Sequence, residues 1–574
     1  MTSLVLLGWR AMDAGSATDA GSATARRRAA MARLRSDDFD LLVVGGGITG
    51  AGVALDAAAR GLRVAIVERT DFASGTSSKS SKLIHGGLRY LQQGDVALVY
   101  EALHERQRLL RNAPHLVRTL PFMIPIMTRD GVVSRKIARA LGSALWMYDL
   151  TGGWRVGKLH RRLRAKTALA HMPTMRADKL SSAYLYFDAE ADDARLTLTL
   201  VQSAVSHGAV AVNYCAVTGL LKESSQHASG RVVGASLRTH EGETFDVRAR
   251  VVVNATGVWG DAMRQMDVGG NSVTIRPAKG IHITVPWELV QNDIAVVIPV
   301  PGDKRSLFVV PHMPNGDGTF RYTYVGTTDT DYQGSIDDPQ CTQDDIDYCL
   351  RALNKAVSGS RAITRDDVVG TWAGLRPLVV SSDGEAVKGR TADLSRRHKV
   401  IVSDSGMVTI TGGKLTTYRK MAEHTVDTAL GELHKNNIAP TTRAKRCSTK
   451  RLSLHGATSR DRDDHLVSRF GSHASSIRAM IAADASLGAP LIDGLPYLRA
   501  EAVYAARHEL VVTLDDVLSR RVRGLLYDRG ATAAAADSTA RLIAPELGWD
   551  EARIRSEVEK FTEICAHEVV AARA

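Results

Sequence analysis

Phe39-Asp40-Leu41-Leu42-Val43-Val44 runs straight into Gly45-Gly46-Gly47-Ile48-Thr49-Gly50, and an alanine-rich stretch, Ala51 to Arg60, follows. That order reads as a buried strand, a glycine turn and a helix. Val64-Ala65-Ile66-Val67 then forms a second short strand, closed by Glu68. In this pattern Gly45 makes the tight turn, Gly47 lets backbone N–H groups approach a pyrophosphate, and Gly50 packs helix closely on strand. Glu68 stands where a carboxylate binds ribose hydroxyls. A glycine triplet alone also occurs in structural loops. With two strands, a helix and an acid in register, the pattern implies an adenine-dinucleotide site.

At 574 residues the chain has room for more than one domain. Its 44% hydrophobic and 24% charged content is that of a water-soluble globular protein. The net charge of +12 favours anionic partners. No nucleic-acid motif accompanies it, so phosphorylated substrates and anionic lipid rank above nucleic acid. The five cysteines, Cys215, Cys341, Cys349, Cys447 and Cys565, lack CxxC or metal-ligand spacing. They fit a reducing cytosol, with no metal site and no disulfide framework. No apolar run approaches the ~20 residues that span a bilayer.

Residues 1–36 read as a disordered tail, because Asp13-Ala-Gly-Ser-Ala-Thr repeats at once from Asp19 and Arg26-Arg27-Arg28 follows. Met1 and Met31 both remain candidate starts. Segments 37–125, 182–280 and 365–430 mix strands, glycine turns and helices and are assigned to one discontinuous dinucleotide domain. Segments 126–181, basic and irregular, and 281–364, rich in strands, form a substrate-binding and membrane-facing region. Residues 435–574 read as a separate helical domain, with runs over Ala500–Tyr527 and Glu551–Ala572, the second capped by Asp550. A further helix is expected over Asp95–Arg111, where Val96, Val99, Leu103 and Leu110 recur at helical spacing.

Two more glycine turns follow apolar strands, at Val251-Val252-Val253-Asn254-Ala255-Thr256-Gly257 and at Met407-Val408-Thr409-Ile410-Thr411-Gly412-Gly413-Lys414. Each alone is an ordinary turn. Three in one chain suggest several backbone contacts with one elongated cofactor, and a buried flavin uses them all. The densest functional stretch is Ser77-Ser78-Lys79-Ser80-Ser81-Lys82-Leu83-Ile84-His85-Gly86-Gly87-Leu88-Arg89-Tyr90-Leu91. Its serines and paired glycines bring donors to a ligand, while Lys82, His85, Arg89 and Tyr90 offer charge and proton exchange.

This stretch resembles the signature of the FAD-dependent, quinone-linked glycerol-3-phosphate dehydrogenases. Val253-Asn254-Ala255-Thr256-Gly257, Gly326-Thr327-Thr328-Asp329, Gly374-Leu375-Arg376-Pro377 and Gly412-Gly413-Lys414-Leu415-Thr416-Thr417-Tyr418-Arg419 are similar to its other blocks, in the same order. The similarity runs from about Asp40 to the C-terminus, including Arg507-His508-Glu509. Val258 stands where the family usually has proline. The resemblance implies an α/β fold: a Rossmann-like FAD-binding domain interleaved with an α+β substrate-binding domain, plus an all-helical C-terminal domain. It implies oxidation of sn-glycerol 3-phosphate to dihydroxyacetone phosphate, with a membrane quinone as electron acceptor. Arg89, Tyr90, Arg376 and Lys414, with Arg396 added, are implied around the substrate, where arginine forks suit a phosphate. Arg376 is implied in catalysis too. Cofactor contacts are implied at Gly45, Gly47, Gly50, Glu68, Ser81, Lys82, Ala255, Gly257, Gly413, Leu415 and Thr416. His282, in Lys279-Gly280-Ile281-His282-Ile283, is the first candidate base and His85 the second, since histidine titrates near neutrality.

Between 131 and 166, Arg135, Lys136, Arg139, Arg155, Lys158, Arg161, Arg162, Arg164 and Lys166 alternate with Trp146, Tyr148 and Trp154. Basic side chains with interfacial aromatics suit an anionic lipid surface, and a solvated basic loop has the same composition. Peripheral association with the cytoplasmic face of the membrane is the expectation, and a homodimer is open. The competing readings are an oxidase that releases peroxide and a flavin-fold binding protein without turnover.

Overall fold

Val43 and Val44 pair in parallel with Val253 and Asn254 on one side and with Ile66 and Val67 on the other. Central parallel strands are buried on both faces, which is why Phe39–Val44 carries no solvent-facing position. The computed structural model describes residues 23–88, 95–127, 135–152, 157–223, 230–269, 274–303, 305–379 and 397–573. The sheet runs in the order Lys399–Val402, Val408–Thr411, Thr244–Asn254, Phe39–Val44, Val64–Val67, Val210–Val212. All of these pairings are parallel except that of Lys399–Val402. Helices Ile48–Ala59, Asp193–Ser206 and Tyr418–Lys435 pack on it through a core that joins Val53, Leu196 and Val426 to Leu41 and Val253.

Helix Ala23–Ser36 departs from the expected disordered tail. Leu34 enters the core beside Phe39 and Val252, and Arg27 donates to the Asn213 side chain (2.7 Å) and carbonyl (2.8 Å). The apolar contacts of Leu34, Ala30 and Met31, with the polar contacts of Arg27 and Arg35, fix a segment that composition alone assigns to solvent.

A second, ten-stranded sheet runs Thr330–Asp331, Ile275–Pro286, Phe320–Gly326, Ser306–Pro314, Ala295–Pro299, Arg118–Met127, Leu180–Glu190, Leu83–Ile84. Gly370–Val379 is added on Ile275–Pro286, and Arg161–Arg164 on Leu180–Glu190. Here the expected segment boundaries need correction. Most of Arg118–Met127 and Leu180–Glu190, and all of Gly370–Val379, fall in the segments assigned to the dinucleotide domain but belong to this sheet. Periodicity identifies a strand; its partners, distant in sequence, decide which sheet it joins. The stretch expected to be irregular, 126–181, holds helices Arg135–Leu150 and Ala165–His171 and strand Arg161–Arg164.

The C-terminal helices are not a separate body. Leu525, Tyr527 and Phe561 share one core with Phe122, Tyr148, Tyr186 and Trp372 from the large sheet and its flanking helices. The expected run Ala500–Tyr527 is broken into Arg499–His508, a π-helical turn Asp516–Arg521 and Gly524–Tyr527. The Asp516 carboxylate accepts the N–H groups of Val512 and Thr513, drawing the chain into a turn between the helical pieces. Helix Val96–Asn112 is capped by Asp95, and helix Glu551–Arg573 follows Asp550, which accepts the Arg553 N–H at 2.8 Å.

Burial holds five imidazoles neutral. His115, His398 and His455 are pushed down to about 4, His312 to about 3, and His282 well below its ordinary value. Their contribution to stability is complete above the unfolded histidine value of ~6.5 and is lost as pH falls toward the folded values. Desolvation pushes Glu190 up to about 7 and raises Glu68, Glu101 and Asp516 as well, which works in the opposite sense, but the histidines outnumber these carboxyls. The melting temperature is therefore expected to fall between pH 7.5 and pH 5. Calorimetry giving a flat or rising Tm over that window contradicts this.

Candidate active site

The pairing of Val44 with Val67 and Asn254 brings Gly45, Glu68 and Ala255 out together at the carboxyl ends of three strands. Open parallel sheets hold ligands in this crevice. Gly45 has φ +108°, and a Cβ there would stand 2.6 Å from the Ala255 carbonyl oxygen; a Cβ at residue 50 would collide with the Gly45 carbonyl. The Gly46 N–H donates to Glu68 Oε2 at 2.7 Å, and the Ile48 N–H to Ser77 Oγ at 2.9 Å. Desolvation raises the Glu68 carboxyl above its usual range, against the N–H groups of Thr70 and Gly46.

An elongated cavity of about 500 Å³ opens here. Gly45, Gly47, Glu68, Ala255, Gly257, Gly413, Lys414 and Leu415 line it, so the three glycine turns converge on one space. Gly50, Ser81, Lys82 and Thr416 do not line it. Gly50 lies under the turn, while the Lys82 and Thr416 side chains are buried. Ser77, Lys79, Trp259 and Arg520 also line the cavity and were not singled out from sequence. Ser77 and Lys79 belong to the serine-rich stretch 77–91. No local signal marks Arg520, which arrives from the C-terminal helices. A long, glycine-walled cavity with a carboxylate at one end fits a dinucleotide.

His282 is not itself in the cavity lining; it shares a sheet face with Gly374, which is, and lies beside the 79–82 segment, whose Lys79 lines the cavity too. Its ring stacks on Trp372 with centroids 4.7 Å apart and 11° between planes, and Nε2 lies 2.8 Å from Ser81 Oγ. Nδ1 is buried with no hydrogen-bond partner among the described residues. Burial first, then Lys82 and Arg376, hold the imidazole neutral. Lys82 is buried too, 3.4 Å from Asp193 and over the Trp372 ring, and burial lowers its ammonium to about 8. Trp372 Nε1–H donates to the Ser80 carbonyl and the Tyr324 hydroxyl to the Ser81 carbonyl, both at 3.1 Å.

Arg376 lies on the same face as His282, since Ala278 and His282 pair with Arg376 and Trp372 across the strands. Its guanidinium bonds Asp329 Oδ1 (3.2 Å), Thr327 Oγ1 (3.0 Å) and the Thr328 carbonyl (3.2 Å). The neighbouring Gly374, Leu375 and Pro377 line the cavity. The half-buried His85 takes Thr416 Oγ1 on its backbone N–H at 3.2 Å, next to the Leu415 wall. Beside it the Gly86 N–H donates to the Tyr148 hydroxyl (3.1 Å) and to Asp188 Oδ1 (3.2 Å), and the buried Arg106 pairs with that carboxylate. Arg89, Tyr90 and Arg396 lie outside the described residues.

A glycine-turned parallel sheet opening on a cavity, with a large, mostly antiparallel sheet that lends Gly374, Leu375 and Pro377 to its lining, is a dinucleotide-dependent oxidoreductase architecture. The family of FAD dependent oxidoreductases matches residues 40–419, and the C-terminal domain of alpha-glycerophosphate oxidase matches residues 409–554. Glycerol-3-phosphate dehydrogenase 2 of Mycobacterium tuberculosis is 37% identical over 557 residues, covering 94% of this chain and 90% of that one. The mitochondrial glycerol-3-phosphate dehydrogenase of Rattus norvegicus is 36% identical over 93% of this chain and 74% of its own length. A solved structure of glycerol-3-phosphate dehydrogenase from Bacillus halodurans, complexed with FAD, is 30% identical and superposes with a TM-score of 0.73. It covers 96% of this chain and 98% of that one. The chain belongs to the FAD-dependent oxidoreductase family, in its glycerol-3-phosphate dehydrogenase branch. FAD is its cofactor.

The tight approach at residue 50 makes a direct test. Gly50→Ala forces the glycine turn away from the helix, and the variant is expected to purify with most of its flavin lost. A ratio of visible to 280 nm absorbance equal to that of the unaltered protein contradicts the assignment.

Proposed function

We propose that the protein oxidises sn-glycerol 3-phosphate to dihydroxyacetone phosphate and delivers the electrons to a membrane quinone. The branch to which the chain belongs supports this substrate. FAD, when bound, supplies the acceptor for the C2 hydride.

The observation that carries the reading is the state of His282. A neutral imidazole can take a proton, and a hydrogen on Nε2 donated to Ser81 Oγ leaves the lone pair on Nδ1, which has no hydrogen-bond partner among the described residues. The Trp372 stack fixes the plane of the ring. His282 is thus the proposed acceptor of the C2 hydroxyl proton. His85, beside the cavity wall, is the alternative. Arg376 and Lys414 are proposed to hold the phosphate, with Arg89, Tyr90 and Arg396 proposed to complete the substrate shell. Asp329 and Thr327 orient the Arg376 fork, and Ser81 and Lys82 act from behind the wall.

The quinone acceptor requires approach to a membrane. Among the described residues no helix is long and apolar enough to cross one. Helix Arg135–Leu150 instead presents Trp146 (57% exposed), Met147 and Leu150 (76% exposed) at the surface, with Leu159 nearby. Lys158, Arg161, Arg162, Arg164 and Lys166 follow in the chain. Apolar side chains bordered by cations suit the boundary of an anionic bilayer. We therefore propose peripheral binding to the cytoplasmic face.

Anaerobic addition of glycerol 3-phosphate is expected to bleach the flavin absorbance near ~450 nm, with turnover restored by a soluble quinone. An unbleached flavin overturns the reading, and rapid peroxide release in air favours an oxidase. Arg376→Ala is expected to keep its flavin and lose about a hundredfold in kcat/KM, mostly through KM. Flavin loss in that variant would make Arg376 structural. Trp146→Ser with Leu150→Ser is expected to abolish co-sedimentation with phosphatidylglycerol vesicles at low salt; unchanged sedimentation contradicts the docking face.

A further inference from the structure

The C-terminal helices pack against the large sheet. Residues 515–523 also lie along segment 70–82, which runs from the Glu68 end of the cavity to the neighbourhood of His282. The contacts between the two segments are buried and ionic. Arg520 Nε donates to Asp71 Oδ2 at 2.6 Å, and Arg521 Nη2 to Asp71 Oδ1 at 3.0 Å and to the Glu509 carbonyl at 2.6 Å. Arg520 and Asp515 themselves line the cavity. Arg523 donates to Asp193 Oδ1 at 3.0 Å and to the Ser78 carbonyl. Asp193 in turn accepts the Ser80 N–H (2.9 Å) and hydroxyl (2.7 Å) and pairs with Lys82. Three arginines within four positions thus hold both ends of one wall.

The backbone marks the same place. Asp516–Arg521 is a π-helical turn, a form that recurs at functional sites. Arg523 has φ +64° and Lys82 +59°, so both cations flanking Asp193 stand in the left-handed region. Side-chain-bearing residues persist there where their surroundings over-determine them. A buried ion pair adds little to stability that an apolar contact of equal volume would not. Simple packing gives no reason for three.

We propose that the 515–523 segment is a clasp belonging to the FAD site. Arg520 and Arg521 are positioning residues that act through Asp71 on the Glu68 end of the cavity. Arg523 is a positioning residue that acts through Asp193 and Ser78 on segment 78–82. The C-terminal helices thereby help to set cofactor affinity. The inference rests on FAD as cofactor and is independent of the proposed substrate.

The test is FAD titration into apoprotein, followed by quenching of flavin fluorescence, with apoprotein Tm measured in parallel. Arg520→Gln and Arg523→Gln are each expected to raise the FAD Kd about tenfold or more, and Arg523→Lys to recover part of that loss. A lowered Tm with unchanged Kd in these variants means packing alone and overturns the proposal. Should Arg523→Gln fail to fold, Arg520→Gln decides, because its side chain sits at the cavity rim, 11% exposed. Failure of glycerol 3-phosphate to reduce the flavin would refute the substrate and leave the Kd result standing.

Discussion

The Gly45 carbonyl oxygen occupies the space a side chain at residue 50 would need, and much of the site is laid out from that close approach. It lets helix Ile48–Ala59 begin at the strand end, with its first N–H groups turned to the crevice. Ser77 then reaches the Ile48 N–H, which brings the serine-rich segment over the helix terminus. The parallel register carries the Ala255 turn alongside Gly45. Val408–Thr411, paired to Thr244–Asn254, brings the Gly412-Gly413 turn to the same rim. One tolerated contact between backbone atoms thus organises pieces from three regions of the chain.

Legibility in the sequence followed how local the physics is. The dinucleotide motif, the Asp550 cap and the three glycine turns are short-range patterns, and each could be read without the fold. Sheet membership was not legible. Tyr184 to Phe187 has the composition of any apolar strand, and only pairing with Arg118–Met127 reveals which sheet it joins. Helix Ala23–Ser36 was invisible because its fixing contacts, Arg27 to Asn213 and Leu34 to the core, are long-range. Arg520 at the cavity could not be anticipated either, since its partner Asp71 is far away in sequence.

Much of the interior next to the cavity is polar. Asp193, Lys82, Arg523, Asp71 and Arg521 are all buried, as are Asp188 and Arg106 behind Gly86. Such pairs contribute direction more than free energy: a fork bonded to a carboxylate fixes the relative orientation of both partners. The apolar clusters hold the layers together, while the ionic ones specify where loops 70–82 and 85–88 stand.

The flavin-bearing sheet takes its central strand from the first tenth of the chain and an outer one from Val408–Thr411. Between Val64–Val67 and Val408–Thr411 the chain builds most of the second sheet before the first is complete. Contacts of such sequence separation are slow to form, because loop closure precedes the reward of burial. A nascent chain leaving the ribosome exposes half-built β-edges until more than two thirds of it has emerged. Those unsatisfied edges are an aggregation hazard that later strands relieve. Truncated expression products ending inside the second sheet inherit that liability permanently.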